Sequence, residues 1–130
     1  MNDPSDRAVE MPRSTRVLIV EDEAMVAENL RADLDDAGFE VVGIAARVEH
    51  ALRLIENVGC DVAILDANLA GISAVPVAAA LSSRGLPFVL LSGYSREQLQ
   101  RDFADALFVQ KPYRIGEIIY NLHSLSSRKR

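Results

Sequence analysis

The sequence holds few of the residues that tie a fold together by chemistry. It has one cysteine, Cys60, so no internal disulfide can form and no cysteine cluster can hold zinc. Its two histidines, His50 and His123, lie too far apart for a metal-ligand motif. A chain without a disulfide framework fits a reducing cytoplasm. The N-terminus lacks the apolar core of a signal peptide, and no apolar run approaches the ~18 residues that suggest a membrane span. Together these absences predict a soluble, cytoplasmic protein. Positive charge is also in short supply: 14 Lys and Arg stand against 19 Asp and Glu, a net charge of −5. That balance excludes a general nucleic-acid binder, which needs a concentrated basic surface. The only basic cluster, Arg128-Lys129-Arg130, reads as a tail.

What remains is enough for one domain, because 130 residues can bury a working core without disulfides or a structural metal. Residues 1–15 carry two prolines, mixed charges and no apolar periodicity, and are expected to form a flexible leader. From Arg16 five apolar runs appear: Val17–Val20, Val41–Ile44, Val62–Leu65, Phe88–Leu91 and Leu107–Val109. Continuous rather than alternating apolar runs suit strands covered on both faces. Between them lie helical patterns. Val26, Leu30, Leu34 and Ala37 precede Gly38, and Val48, Ala51, Leu52 and Ile55 precede Gly59. A further helix is expected over Ala74–Leu81, a weaker one over Arg96–Phe103, and a last one on the stripe Ile115, Ile118, Ile119, Leu122 and Leu125. Strands alternating with helices predict an α/β fold: a doubly wound, five-stranded parallel sheet, flavodoxin-like in order 2-1-3-4-5, with helices on both faces. The domain is expected to span 16–126, with 127–130 as a basic tail.

Four of the five runs end in chemistry. Glu21-Asp22-Glu23 follows the first, Asp66 the third, Ser92 the fourth, and Lys111-Pro112 comes shortly after the fifth. Parallel sheets of this kind bind ligands outside the carboxyl ends of their strands, so these groups would converge. Carboxylates a few ångströms apart repel by ~4 kcal/mol per pair at an effective dielectric near 20, which a cation would relieve. Oxygen-only ligands suit Mg²⁺. Glu21, Asp22 and Asp66 are the candidate ligands, joined by the backbone carbonyl of Asn68. A phosphoryl group on Asp66 would explain the remainder: Asp66 as nucleophile, Lys111 and Ser92 on phosphoryl oxygens, and the metal on the third. Each residue also has a plainer reading. The acidic run could cap a helix, Asp66 could form an Asx-turn, Ser92 could be a loop hydroxyl and Lys111 a solvated charge. Phe108 and Tyr113 would by default be a core and a surface aromatic. The joint occurrence of the acidic run, Asp66, Ser92 and Lys111 at four strand ends, in this order, favours the site.

These residues resemble the receiver domain of two-component response regulators, over about Arg16 to Leu125. The resemblance implies that Glu21 and Asp22 are the acidic pair, Asp66 the phosphoacceptor, Ser92 the switch hydroxyl and Lys111 the phosphate-binding lysine. It also implies a cis peptide at Lys111-Pro112 and a switch aromatic at Phe108. A histidine kinase or a histidine phosphotransfer protein would donate the phosphoryl group, and the protein would catalyse only its own phosphorylation and dephosphorylation. The output surface, on the fourth helix, fifth strand and fifth helix, would include Phe108, Tyr113, Arg114, Ile115, Ile119 and Tyr120. Asn68 and Tyr94 occupy positions that in the family tune hydrolysis, with Tyr94 expected to shield the phosphoryl group.

The chain departs from the family pattern in two places. The familiar Met-Pro-x-x-Asp-Gly run after the acceptor is replaced by Leu69-Ala-Gly71-Ile-Ser-Ala-Val-Pro76, and the interval from Ser92 to Lys111 is short, which predicts a stunted or mobile fourth helix. With Pro87-Phe88 and Ser92-Gly93-Tyr94, these features loosely resemble single-domain receivers of the FATGUY subgroup, although the literal motif is absent. The expected function is therefore a single-domain response regulator, switching partner binding or serving as a phosphate sink. A haloacid-dehalogenase-like phosphatase shares the Asp, Ser, Lys and Mg²⁺ chemistry, but it carries its acidic pair after the lysine and usually an acid two residues past the nucleophile. Here the acidic pair comes first and Asn68 holds that place. A phosphorylation-independent binding module would leave the polar strand ends unexplained.

Overall fold

The computed structural model describes residues 14–93, 103 and 106–128. Five parallel strands build one sheet: β1 (Arg16–Val20), β2 (Glu40–Ala45), β3 (Val62–Asp66), β6 (Phe88–Ser92) and β7 (Leu107–Gln110). Their spatial order is β2-β1-β3-β6-β7, the expected 2-1-3-4-5 arrangement. Among the described residues four helices connect or follow them: α1 (Ala24–Asp36), α2 (Val48–Asn57), α3 (Val75–Ser83) and α4 (Ile115–Arg128). The helix expected over Arg96–Phe103 lies outside the described residues except for Phe103, which is buried. So does Tyr94, and so does the leader apart from Ser14 and Thr15. Helix α4 continues to Arg128, into the stretch expected as tail.

Two apolar clusters explain why the strand runs are continuous. Successive side chains of a strand point to opposite faces. Leu18 and Val20 therefore pack with Ala51 and Ile55 of α2 and with Val77 and Leu81 of α3. Val17 and Ile19 pack with Leu30 and Leu34 of α1 and with Ile118 and Leu122 of α4. Every residue of β3 and β6 is buried. Close packing also marks one glycine: a Cβ at Gly43 would meet Leu54 Cδ1 at 3.0 Å, a tight contact that the leucine side chain of α2 would have to yield to.

One element has no counterpart in the sequence reading. Immediately after β3 the chain forms a two-stranded antiparallel hairpin, β4 (Asn68–Leu69) and β5 (Ile72–Ser73). Its two-residue turn, Ala70-Gly71, has positive φ at both positions, +55° and +89°, as a type I′ turn requires. Leu69 and Ala74 are buried at the two sides of the hairpin and anchor it in the core, while Ile72 stays 61% exposed.

Candidate functional site

The carboxyl ends of β1, β3, β6 and β7 carry the residues singled out above. Glu21 follows β1 directly and is buried, with its N–H donating to the Ala45 carbonyl at 2.9 Å. Asp22 is half-buried and Glu23 exposed. The capping explanation of this acidic run does not hold: Glu23 occupies the N-cap of α1, yet its side chain makes no capping hydrogen bond. Its backbone N–H instead donates to Glu21 Oε2 at 3.0 Å.

Asp66 closes β3 and is buried. Each of its carboxylate oxygens has its own donor. Lys111 Nζ donates to Oδ2 at 2.6 Å, and the Asn68 N–H donates to Oδ1 at 3.1 Å. The Asx-turn reading is thus correct as geometry, and the same aspartate carries the ion pair. Lys111 reaches it because β7 runs beside β6 and the Lys111 N–H donates to the Ser92 carbonyl at 2.8 Å. The Lys111-Pro112 peptide is cis, as expected. Ser92 is buried at the end of β6.

Ligand oxygens of Glu21, Asp22 and Asp66 lie within 4.8 Å of one another. Burial, partly opposed by the bond from the Glu23 N–H and reinforced by the neighbouring Asp66 charge, pushes the Glu21 carboxyl up to about 7. Glu21 Oε1 is buried and has no hydrogen-bond partner. A buried carboxylate oxygen with nothing to accept from is costly. A hard cation held by the three acids would satisfy it, so the donor set fits Mg²⁺. For Lys111, burial lowers the pKa, but the bond and charge of Asp66, with Glu21 and Glu23 behind them, outweigh it and leave the ammonium above its ordinary value.

The remaining expected residues lie around this centre. Phe108 is half-buried on β7 and packs against the cluster that contains Leu18 and Leu65. Tyr113 is not a surface aromatic: it is half-buried, packs against the cluster of Val17 and Ile19, and its phenol is pushed up by burial and then by the Glu21 charge. Arg114 is exposed, Ile115 and Ile119 are half-buried on α4, and Tyr120 is 73% exposed. Asn68 heads β4, exposed, with its side-chain Oδ1 accepting from the Gly71 N–H at 2.7 Å. Neither histidine joins the site: His50 lines a separate concavity beside Arg47 and Arg53, and His123 packs tilted on Phe39 with ring centroids 5.0 Å apart.

Comparison with known proteins gives the same answer from independent evidence. The family model described as "Response regulator receiver domain" matches residues 17–123. The chain belongs to this family. Among curated relatives, the receiver is 31% identical to the transcriptional regulatory protein PdtaR of Mycobacterium tuberculosis over 97% of its own length and 62% of that protein. It is 30% identical to the two-component response regulator PhoP of Pseudomonas aeruginosa, over 87% of this chain and 52% of PhoP. It therefore spans between about half and two thirds of these relatives. Among solved structures, it superposes on the signal receiver domain of a modulated diguanylate cyclase from Desulfovibrio desulfuricans with a TM-score of 0.80 and 27% identity, covering 90% of this chain and 97% of that one. Receivers of this family take part in phosphorylation-based two-component signalling. No helix among the described residues is long and apolar enough to cross a membrane.

Proposed function

We propose that this receiver is a switch whose phosphoacceptor is Asp66. The observation that carries the reading is the grip on that one carboxylate: it is buried, paired with Lys111 at 2.6 Å, and bordered by Glu21 and Asp22. A phosphohistidine on a kinase or phosphotransfer protein is the donor. An oxygen of Asp66 attacks phosphorus, a P–O bond forms, the P–N bond breaks, and its electron pair returns to the imidazole. Glu21, Asp22 and Asp66, with the Asn68 carbonyl, would hold Mg²⁺, which supplies charge neutralisation at the phosphoryl oxygens. Lys111 neutralises another oxygen and Ser92 hydrogen-bonds a third. The shift of Lys111 and Ser92 toward the new phosphoryl group is passed to Phe108 and to the surface of Tyr113, Arg114, Ile115, Ile119 and Tyr120, where partner binding changes. Exposed apolar side chains beside the strand ends, Met25 at 79% and Ile72 at 61%, favour a protein as the donor that docks there.

Asn68 and Tyr94 complete the proposal as the residues that set how fast water removes the phosphoryl group. The phosphatase alternative has the wrong chain order, and the binding-module alternative gives no role to the buried Asp66–Lys111 pair. Incubation with acetyl phosphate and Mg²⁺, followed by intact mass, tests the reading: wild type gains one phosphoryl group and Asp66→Asn gains none. Equal labelling of Asp66→Asn would overturn it.

A further inference from the structure

The hairpin after β3 is over-built for a simple connection. Asn68 is tied at both ends, its N–H on Asp66 Oδ1 at 3.1 Å and its side-chain oxygen on the Gly71 N–H at 2.7 Å. The Ala74 N–H donates to the Ala67 carbonyl at 3.1 Å and closes the base, and the Val75 N–H donates to Ser73 Oγ at 3.2 Å. At the tip, Ala70 holds a φ of +55°, which L side chains rarely adopt. Strain of this kind persists where surrounding structure imposes it, and it clusters at functional sites.

We infer that the β4–β5 hairpin is a positioning device for the acceptor carboxylate. The inference rests on Asp66 being the acceptor. Lys111 fixes Oδ2 but leaves the carboxylate free to rotate about that contact. The Asn68 N–H fixes Oδ1 and removes that freedom, and the turn at Ala70-Gly71 keeps Asn68 in place. Asn68, Ala70 and Gly71 are positioning residues: they act through Asp66 and decide how often it presents the orientation that attacks phosphorus. Small errors of alignment at a reacting atom are expensive in rate.

Gly71 offers a clean test because a Cβ there would meet nothing within 4 Å, so the first cost of a substitution is the backbone conformation. Gly71→Val disfavours a φ of +89° strongly, Gly71→Asn tolerates it, and Ala70→Asn creates the Asn-Gly pair that type I′ turns prefer. With acetyl phosphate and Mg²⁺, Gly71→Val should take up phosphoryl groups about tenfold more slowly. Gly71→Asn should restore the rate to about that of wild type, and Ala70→Asn should match or exceed it. Amide hydrogen exchange at Asn68 should rise in Gly71→Val alone. Unchanged uptake in a Gly71→Val protein whose Asn68 amide exchanges faster would overturn the inference. Should Gly71→Val not fold, Asn68→Leu, which keeps the shape and removes the acceptor, must show the same slowing, and wild-type uptake would overturn the inference equally. If wild type gains no phosphoryl group, the acceptor reading fails. The hairpin's hold on Asp66 is then decided by Asn68 exchange alone, which must still rise in Gly71→Val.

Discussion

Two aspartates bracket the central strand β3, and their surroundings are opposites. Asp61, just before the strand, sits at the amino edge of the sheet, where the Arg16 N–H donates to its Oδ2 at 2.9 Å and its own N–H returns a bond to the Arg16 carbonyl at 2.8 Å. Close by, the Glu40 N–H is satisfied by the Thr15 carbonyl at 2.9 Å. Asp66, at the other end, shares its edge with two further acids, one of which keeps a buried oxygen without a partner. The amino edge uses its aspartate to finish the backbone. At the carboxyl edge, acidic charge is concentrated beyond what one lysine can answer, and the arrangement becomes comfortable only when a cation joins it.

The sharpest way to break this contrast is to exchange the roles of the two aspartates. Asp66→Asn should abolish phosphoryl uptake by intact mass, whereas Asp61→Asn should keep it within about twofold of wild type, because Asp61 lies at the opposite end of β3 from the site. Lys111→Met should come next, lowering the rate of uptake on the order of 10²-fold, in line with removal of one preorganised cationic or hydrogen-bonding group.

Glu21→Gln sharpens the comparison through stability. The folded-state pKa of Glu21 is raised, to about 7 from 4.5, so the native state binds more protons than the unfolded state between those values and stability falls as pH rises through that window. Denaturant unfolding without Mg²⁺ should show that decline in wild type. Glu21→Gln should remove it, gaining on the order of 1–3 kcal/mol at pH 8, and should bind Mg²⁺ more weakly. The smallest effect is expected from Asp61→Ala, a loss of about 1–2 kcal/mol in the same denaturant unfolding from the orphaned Arg16 N–H. Lys111 titrates in the same sense but in a higher window. Its raised pKa gives stability that is present up to the ordinary lysine value of 10.5 and is lost as pH climbs above it.

Much of this was legible in the sequence, for identifiable reasons. The five strands of the main sheet match the apolar runs to within one residue at each end because strands buried on both faces leave uninterrupted apolar runs, and Val62–Leu65 needs only Asp66 to complete it. The site is legible because parallel strands bring their carboxyl ends together, which associates Glu21, Asp22, Asp66 and Lys111 from their places at the ends of apolar runs alone. The hairpin was not legible. Its strands are two residues each, too short to show a period, and its turn is Ala-Gly rather than the Asn-Gly that announces such turns. Nor does the sequence show whether Glu21-Asp22-Glu23 caps the helix that follows it. That depended on whether the Glu23 carboxylate reached its own helix, and it does not.

The place of β3 in the sheet has a consequence for time. With β1 hydrogen-bonded on one side and β6 on the other, its amides exchange with solvent only when the sheet itself opens, whereas β2 and β7 lie at the margins and can fray. The register that aims Asp66 therefore lasts as long as the native state. A chemical mark written there would sit on the most durable strand of the molecule, and its disappearance would report the chemistry of the bond rather than the breathing of the protein.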